Sequence, residues 1–338
     1  MKLNRITAAV IASVAGLGLL AGCSGGEGGD REGSGEAETR TVTDSSGAEI
    51  EVPAEPENVA TLHYAATETL MDLDLPPVGQ GAFQEPFVPE EWVEQLGDIP
   101  VVAQREPDLE QLAEVAPDLI LAPNIYEPDT IEQMEEIAPV YQFTLRGGDR
   151  ADWQQRVEEV ADAVNQSGEL EKLDADFEAE QKKIAAEHGD ALEGAKLGVV
   201  SSFEDNSAYL WGSENMVGSL FRPLGFDWSD DEDAAIGEYA DAAQGGNTSG
   251  IKEPEAQISM EVLDESLSDA DIIFVTSDMR GEYDALTEKL LDSAVFEELP
   301  AVRAGHVYPH GKATIAGYSD ARHGVEMARK AIGEYQKG

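Results

Sequence analysis

The sequence predicts an α/β protein of two lobes joined by one long helical connector. Three observations predict it. Short apolar runs first alternate with helical patterns, then two helical patterns follow with no strand signal between them, then a second alternating region completes the chain. A unit of the first region recurs in the second.

The elements follow in chain order. The opening stretch MKLNRITAAVIASVAGLGLLAG carries Lys2 and Arg5, an apolar run from Ile6 and small residues before Cys23, the only cysteine of 338 residues. This is the form of a signal peptide, expected over residues 1–22. Its apolar run of about 16 residues falls short of the roughly 20 needed to span a bilayer. With no second cysteine, disulfide and metal-thiolate functions are excluded. Residues 23–40, rich in Gly, Ser and Glu, suit a flexible tether. From Thr41 onward no apolar run is long enough to span.

Sixty-nine acidic and 22 basic residues give a net charge of −47, which excludes nucleic-acid binding and charge-driven adhesion to anionic lipid. Hydrophobic residues still make up 41%, in segments, so the body folds. The charges are spread along the whole chain, as on a solvated, carboxylate-coated surface of the kind proteins from salty habitats show; a cationic ligand is the competing explanation.

In the first lobe, expected over residues 41–148, Val59–His63, Pro77–Gly81, Asp118–Pro123 and Val140–Leu145 read as strands, and Ala66–Leu75, Glu110–Ala116 and Thr130–Ala138 as helices. Asp152–Asn165 and Leu170–His188 read as helices; the first carries Trp153, Val157, Val160, Ala161 and Val164 on one face and is the expected connector within residues 149–167. In the second lobe, residues 168–338, the strands are Lys196–Phe203, Asp271–Ser277 and Gly305–His310, and the helices Met216–Leu224, Glu261–Ser266 and Asp320–Gln336.

The recurring unit is DLEQL before PDLIL (108–112 and 117–121) and SMEVL before ADIIF (259–263 and 270–274). In each, Asp108 or Ser259 is an expected N-cap two residues before a glutamate. A carboxylate in a first helical turn is favoured by roughly 0.3–1 kcal/mol through the helix dipole. That local effect explains Glu110 and Glu261 without any function.

TVTD (41–44) with Gly47 and Val52-Pro53, VATL (59–62), ATE (66–68), PVG (77–79), QREPDLE (104–110), APDLI (116–120), and LPAV (299–302) followed by GHVY (305–308) together resemble the substrate-binding lipoproteins of iron-siderophore ABC importers. Cobalamin and haem binders are cousins in the same class. The resemblance covers nearly all of the chain after Cys23 and implies two α/β lobes on one rigid helix, with the ligand held in the cleft between them. It implies lipidation at Cys23 and anchoring on the extracytoplasmic face of the cell membrane. It also implies a monomer that docks on a permease dimer with its ATPase through Glu110 and Glu261, one carboxylate per lobe. A single exposed ion pair contributes at most about 1 kcal/mol, so docking requires both sites and the surface around them.

For the ligand, Arg105 matches a position where family members place an arginine on the anionic oxygens around ferric iron. A guanidinium can donate two parallel hydrogen bonds to such oxygens; an ordinary surface ion pair is the alternative. Arg280 is the second-lobe counterpart. Tyr64, Trp211, Tyr126 and Tyr318 follow strands or lie in late loops, where ligands of open α/β sheets settle and a flat ring can pack on a chelate. Many siderophore binders carry tryptophan near the Tyr64 position. Iron is held by the chelator, so no cofactor and no protein metal ligand is expected, and a haem or cobalamin ligand is the alternative cargo.

Two other readings fail. Gly317-Tyr318-Ser319-Asp320-Ala321 lacks the last glycine of a nucleophile elbow, and Ser319 reads as the N-cap of the terminal helix. Zinc or manganese capture calls for converging histidines and carboxylates; of the five histidines, only His306 and His310 stand at strand spacing, without a matching cluster.

Overall fold

The computed structural model of the chain describes residues 38–145, 152–243 and 254–337. The expected signal peptide, the Cys23 lipidation site and the tether up to residue 37 lie outside them. The body begins with an antiparallel hairpin, β1 (Thr39–Thr43) and β2 (Glu49–Pro53). Ser45 N–H donates to the Gln142 carbonyl at 2.9 Å and hooks the hairpin onto the first lobe.

The first lobe runs β3 (Val59–Thr61), α1 (Tyr64–Asp72), β4 (Gln80–Gly81), α2 (Glu90–Asp98), β5 (Val101–Ala103), α3 (Leu109–Glu114), β6 (Leu119–Pro123), α4 (Pro128–Glu135) and β7 (Val140–Phe143). The pairings β3–β6, β6–β7 and β4–β5 are parallel, and a parallel bridge from Ala60 to Gly79 joins the two sets. The resulting order is β5-β4-β3-β6-β7. Interior strand β6, between β3 and β7, is buried at every position. Leu119 and Leu121 enter one core, Ile120 and Ala122 another, as the alternation of a strand covered on both faces requires. Gly81 is needed where β4 passes His63, because a Cβ there would lie 2.6 Å from the His63 backbone.

The connector is α5 (Gln154–Ala163), followed after a turn at Asn165 (φ +59°) by α6 (Ser167–Leu192). Val160, Ala163 and Val164 pack in the first-lobe core, while Trp153, Val157 and Ala161 pack in the second-lobe core. The apolar residues that read as one face thus serve both lobes.

The second lobe contains β8 (Lys196–Ser201), β9 (Ser207–Leu210), α7 (Met216–Phe221), β10 (Asp227–Trp228), α8 (Asp230–Ala243), β11 (Ala256–Ser259), α9 (Leu263–Ser266), β12 (Ile272–Val275), α10 (Ala285–Leu291), α11 (Ala294–Glu297), α12 (Pro300–Ala304), β13 (Val307–Pro309) and α13 (Tyr318–Tyr335). Its sheet order is β11-β9-β8-β12-β13, with β10 against the start of β8 and only β9 running antiparallel to its neighbours. Where the edge of β8 passes from β10 to β9, the fully buried Glu232 of α8 accepts from Val199 N–H at 3.2 Å and Trp211 N–H at 3.3 Å. Burial pushes this carboxyl well above its ordinary pKa.

Two capping expectations are corrected. Asp108 does cap α3, accepting from Gln111 N–H at 3.0 Å, but Ser259 ends β11, and α9 starts only at Leu263. Ser319 lies inside α13, and the carboxylate that accepts its N–H comes from Asp72 of α1, at 3.2 Å. A tertiary contact replaces the local cap.

Candidate functional site

The loops after β3, β4, β8, β12 and β13 leave the carboxyl ends of the two sheets and enclose a cavity of about 300 Å³ between the lobes. That is the small end of the usual ligand-pocket range, at the place where open α/β sheets bind ligands. Tyr64, Glu68, the 82–84 segment, Phe87 and Val88 line it from the first lobe. Phe203, Trp211, the 276–278 segment, Asp284 and the 312–314 segment line it from the second.

Five aromatic side chains, Tyr64, Phe83, Phe87, Phe203 and Trp211, stand in its walls. Tyr64 opens α1 behind His63, whose Nδ1 accepts from Ala65 N–H at 3.2 Å as the N-cap; the two rings lie 4.3 Å apart. The Tyr64 hydroxyl reaches across to Thr314 Oγ1 at 3.4 Å. Trp211 is 4% exposed, donates from Nε1 to Ser201 Oγ at 2.9 Å and packs on Tyr209 at 4.8 Å. Phe203 meets both rings edge-on and remains 54% exposed, so its apolar face is offered to whatever fills the cavity.

At the floor, Lys312 Nζ lies 2.7 Å from Glu68 of α1 and 2.7 Å from Asp320 of α13, with all three side chains buried. It also stands 5.8 Å from the centre of the Tyr64 ring. Burial alone would lower the lysine pKa, but Asp320 and Glu68 outweigh it and hold it above its ordinary value. Burial first, then the nearby Asp320, pushes Glu68 well up against the pull of Lys312. Thr69 Oγ1 donates to the Ala316 carbonyl at 3.1 Å, and Ser319 donates to Asp72 through N–H and Oγ. Burial raises the Asp72 pKa to about 6 although the Ser319 bonds oppose it. The lobes therefore meet behind the cavity through polar groups of α1.

Of the residues singled out from the sequence, Tyr64 and Trp211 share this cavity. Arg105 is exposed on the loop after β5, outside the cavity walls. Arg280 is also exposed and outside; it pairs with Glu85 at 3.3 Å, beside a hydrogen bond from Met279 N–H to the Pro86 carbonyl at 2.9 Å that ties the rim of one lobe to the other. Tyr126 is half-buried against the first-lobe core, its hydroxyl pushed up to about 12 by burial and then by Glu106. Tyr318 is 2% exposed, its ring 5.0 Å from Trp153 and 5.9 Å from Phe177, and its hydroxyl donates to Asp174 at 3.1 Å. It ties α13 to the connector and α6. Glu110 and Glu261 are both exposed, on segments that leave β5 and β11 at the carboxyl edges of their sheets.

Sequence reasoning passed over Phe203, Phe83 and above all Lys312. A signal for Lys312 existed: it follows Gly311 (φ +89°) in the loop just after β13, in a chain poor in cations. Nothing local marks its partners. His310 is fully buried against Phe221 and Phe274 and held down to about 3 by burial, while His306 packs on Tyr335, so the two do not converge. Among the described residues no group of three or more His, Cys, Asp or Glu is placed to hold a metal ion, and no helix is long and apolar enough to cross a membrane.

Comparison with known proteins agrees with this geometry. The chain is 23% identical to a Bacillus subtilis protein described as a probable siderophore-binding lipoprotein, YfiY, over 86% of each chain. It is 25% identical to the Fe(3+)-citrate-binding protein YfmC of the same organism, covering 86% of this chain and 84% of the relative. Among solved structures, the siderophore periplasmic binding protein from the fuscachelin gene cluster of Thermobifida fusca superposes with a TM-score of 0.66 at 25% identity, over 82% of this chain and 97% of that one. The periplasmic binding protein model matches residues 59–313, a span that takes in both lobes, the connector and the cavity. With two α/β lobes, a ligand-sized space between them and that match, the chain belongs to the periplasmic binding protein family, whose members are transport receptors rather than enzymes.

Proposed function

We propose that this protein captures a ferric siderophore between its lobes and delivers it to the permease of an ABC importer. The observation that carries this reading is the aromatic-walled cavity at the carboxyl ends of both sheets. Tyr64, Trp211 and Phe203 supply flat apolar surface for a chelate that brings its own iron. The names of the relatives, which cite siderophores and ferric citrate, support the cargo class. Docking is assigned to Glu110 and Glu261, exposed on opposite lobes in the segments that follow β5 and β11. Cys23 is assigned the lipid anchor on the extracytoplasmic face, in keeping with lipoprotein relatives. An anchor confines the receptor near its permease, so weak docking suffices through local concentration.

The test is a tryptophan-fluorescence titration with ferric hydroxamates, ferric catecholates, haem and cobalamin. Saturable quenching by a ferric siderophore is expected. Binding of haem or cobalamin with no response to any siderophore refutes the cargo. The double variant Glu110→Ala/Glu261→Ala is expected to bind its chelate unchanged and to abolish uptake; loss of binding instead removes the docking assignment.

A further inference from the structure

The charges around the cavity are lopsided. Among its described lining residues Lys312 is the only cation, and its ammonium is already shared between Glu68 and Asp320. Both arginines that could answer an anionic chelate, Arg105 and Arg280, stand outside the walls, the latter engaged with Glu85. Two further carboxylates face the space. Asp278 accepts from the N–H groups of Arg280 and Glu282 at 2.8 Å each, and Asp284 caps α10 by accepting from Leu286 and Thr287. Those bonds explain where the two side chains are fixed, and among the described residues neither carboxylate forms an ion pair with a lysine or arginine.

We infer that the cavity selects chelates of neutral or positive charge, of which ferric trihydroxamates are the fitting chemical class, and disfavours trianionic tricatecholates. The inference rests on the ferric-siderophore reading above. Three deprotonated hydroxamates cancel the charge of Fe(III), and a chelator with a free amine leaves a cation; three catecholates leave three negative charges. A trianion in this cavity meets Asp278 and Asp284 with no free cation among the described lining residues to answer it. At an effective dielectric of about 20, two like unit charges about 12 Å apart lower affinity by about an order of magnitude. A cation is instead favoured by the two carboxylates and by the faces of the Tyr64, Phe203 and Trp211 rings.

The experiment titrates the soluble protein, at low and high salt, with ferrioxamine B (a cationic trihydroxamate), ferrichrome (neutral) and ferric enterobactin (a trianionic tricatecholate). The trihydroxamates are expected to bind at least 100-fold more tightly than enterobactin, with the gap narrowing in salt. Asp278→Asn/Asp284→Asn keeps the oxygens that accept the turn and cap hydrogen bonds. It is expected to tighten enterobactin about 100-fold and to weaken ferrioxamine B, with neutral ferrichrome changed least. Enterobactin binding as tightly as the trihydroxamates, or a double variant with unchanged preferences, overturns the charge selection while leaving the siderophore reading in place. Failure of all three chelates to bind overturns both.

Discussion

Lys312→Met tests the buried triad. The substitution keeps the length of the side chain but removes the one cation held between Glu68 and Asp320, whose side chains are 4% and 0% exposed. Removing one partner of a buried ion pair leaves uncompensated charge and costs roughly 3–5 kcal/mol. At about 2 °C per kcal/mol for a large domain, the melting temperature should fall by roughly 6–10 °C at pH 8. The loss should shrink as pH falls. Glu68 already titrates above the ordinary carboxylate range, and without its cation it takes up a proton more readily still. Adding Glu68→Gln should restore at least about 1 kcal/mol, because the two sites are coupled through one lysine. Calorimetry on the three proteins at pH 5 and pH 8 makes the measurement. A loss below about 1 kcal/mol at pH 8, or a larger loss at pH 5, refutes the account of the triad as a charge-balanced interlobe contact.

Two more outcomes follow from titrating groups. Asp72 has its folded pKa raised to about 6 from 3.8, so its contribution favours folding below about pH 4 and is lost as pH rises through 6. The stability difference between wild type and Asp72→Asn should therefore move by about 3 kcal/mol in favour of the variant between pH 4 and pH 8, and a difference independent of pH in denaturant titrations contradicts the assignment. His310 has the opposite sign: its folded pKa is held down to about 3 from 6.5, so its contribution is intact above 6.5 and is lost as pH falls toward 3. His310→Leu should flatten the acid limb of the stability profile by up to about 5 kcal/mol, and an unchanged acid limb shows that His310 is solvated.

What could be read from the sequence divides along the kind of interaction involved. The parallel strands announced themselves because burial on both faces demands continuous apolar runs, as in Leu119–Pro123 and Ile272–Val275. The strands β9 (SAYL) and β11 (AQIS) did not, since their pairing with each other defines them more than their composition. The same division runs through the site. Tyr64 and Trp211 stood out as aromatics at loop ends, and they meet in the cavity. Tyr318 had the same local signature, yet Trp153, Phe177 and Asp174 take its ring and hydroxyl into the core.

The contact between the lobes was invisible for a physical reason. Apolar periodicity reports helices that bury a greasy stripe, but α1 meets the second lobe through Glu68, Thr69 and Asp72, which read as surface residues of an acidic chain. Their partners lie far along the sequence; Lys312 is 244 positions from Glu68. Such polar contacts hold one geometry rather than many, because a buried donor or acceptor that slips out of register loses about 1–3 kcal/mol. Three of them within little more than one turn of α1 set the angle between the lobes, and with it the width of the cavity that Tyr64, Phe203 and Trp211 enclose. The excess of carboxylates that looked like a uniform solvated surface therefore has a second role at this interface, where a few of them fix the frame of the cavity.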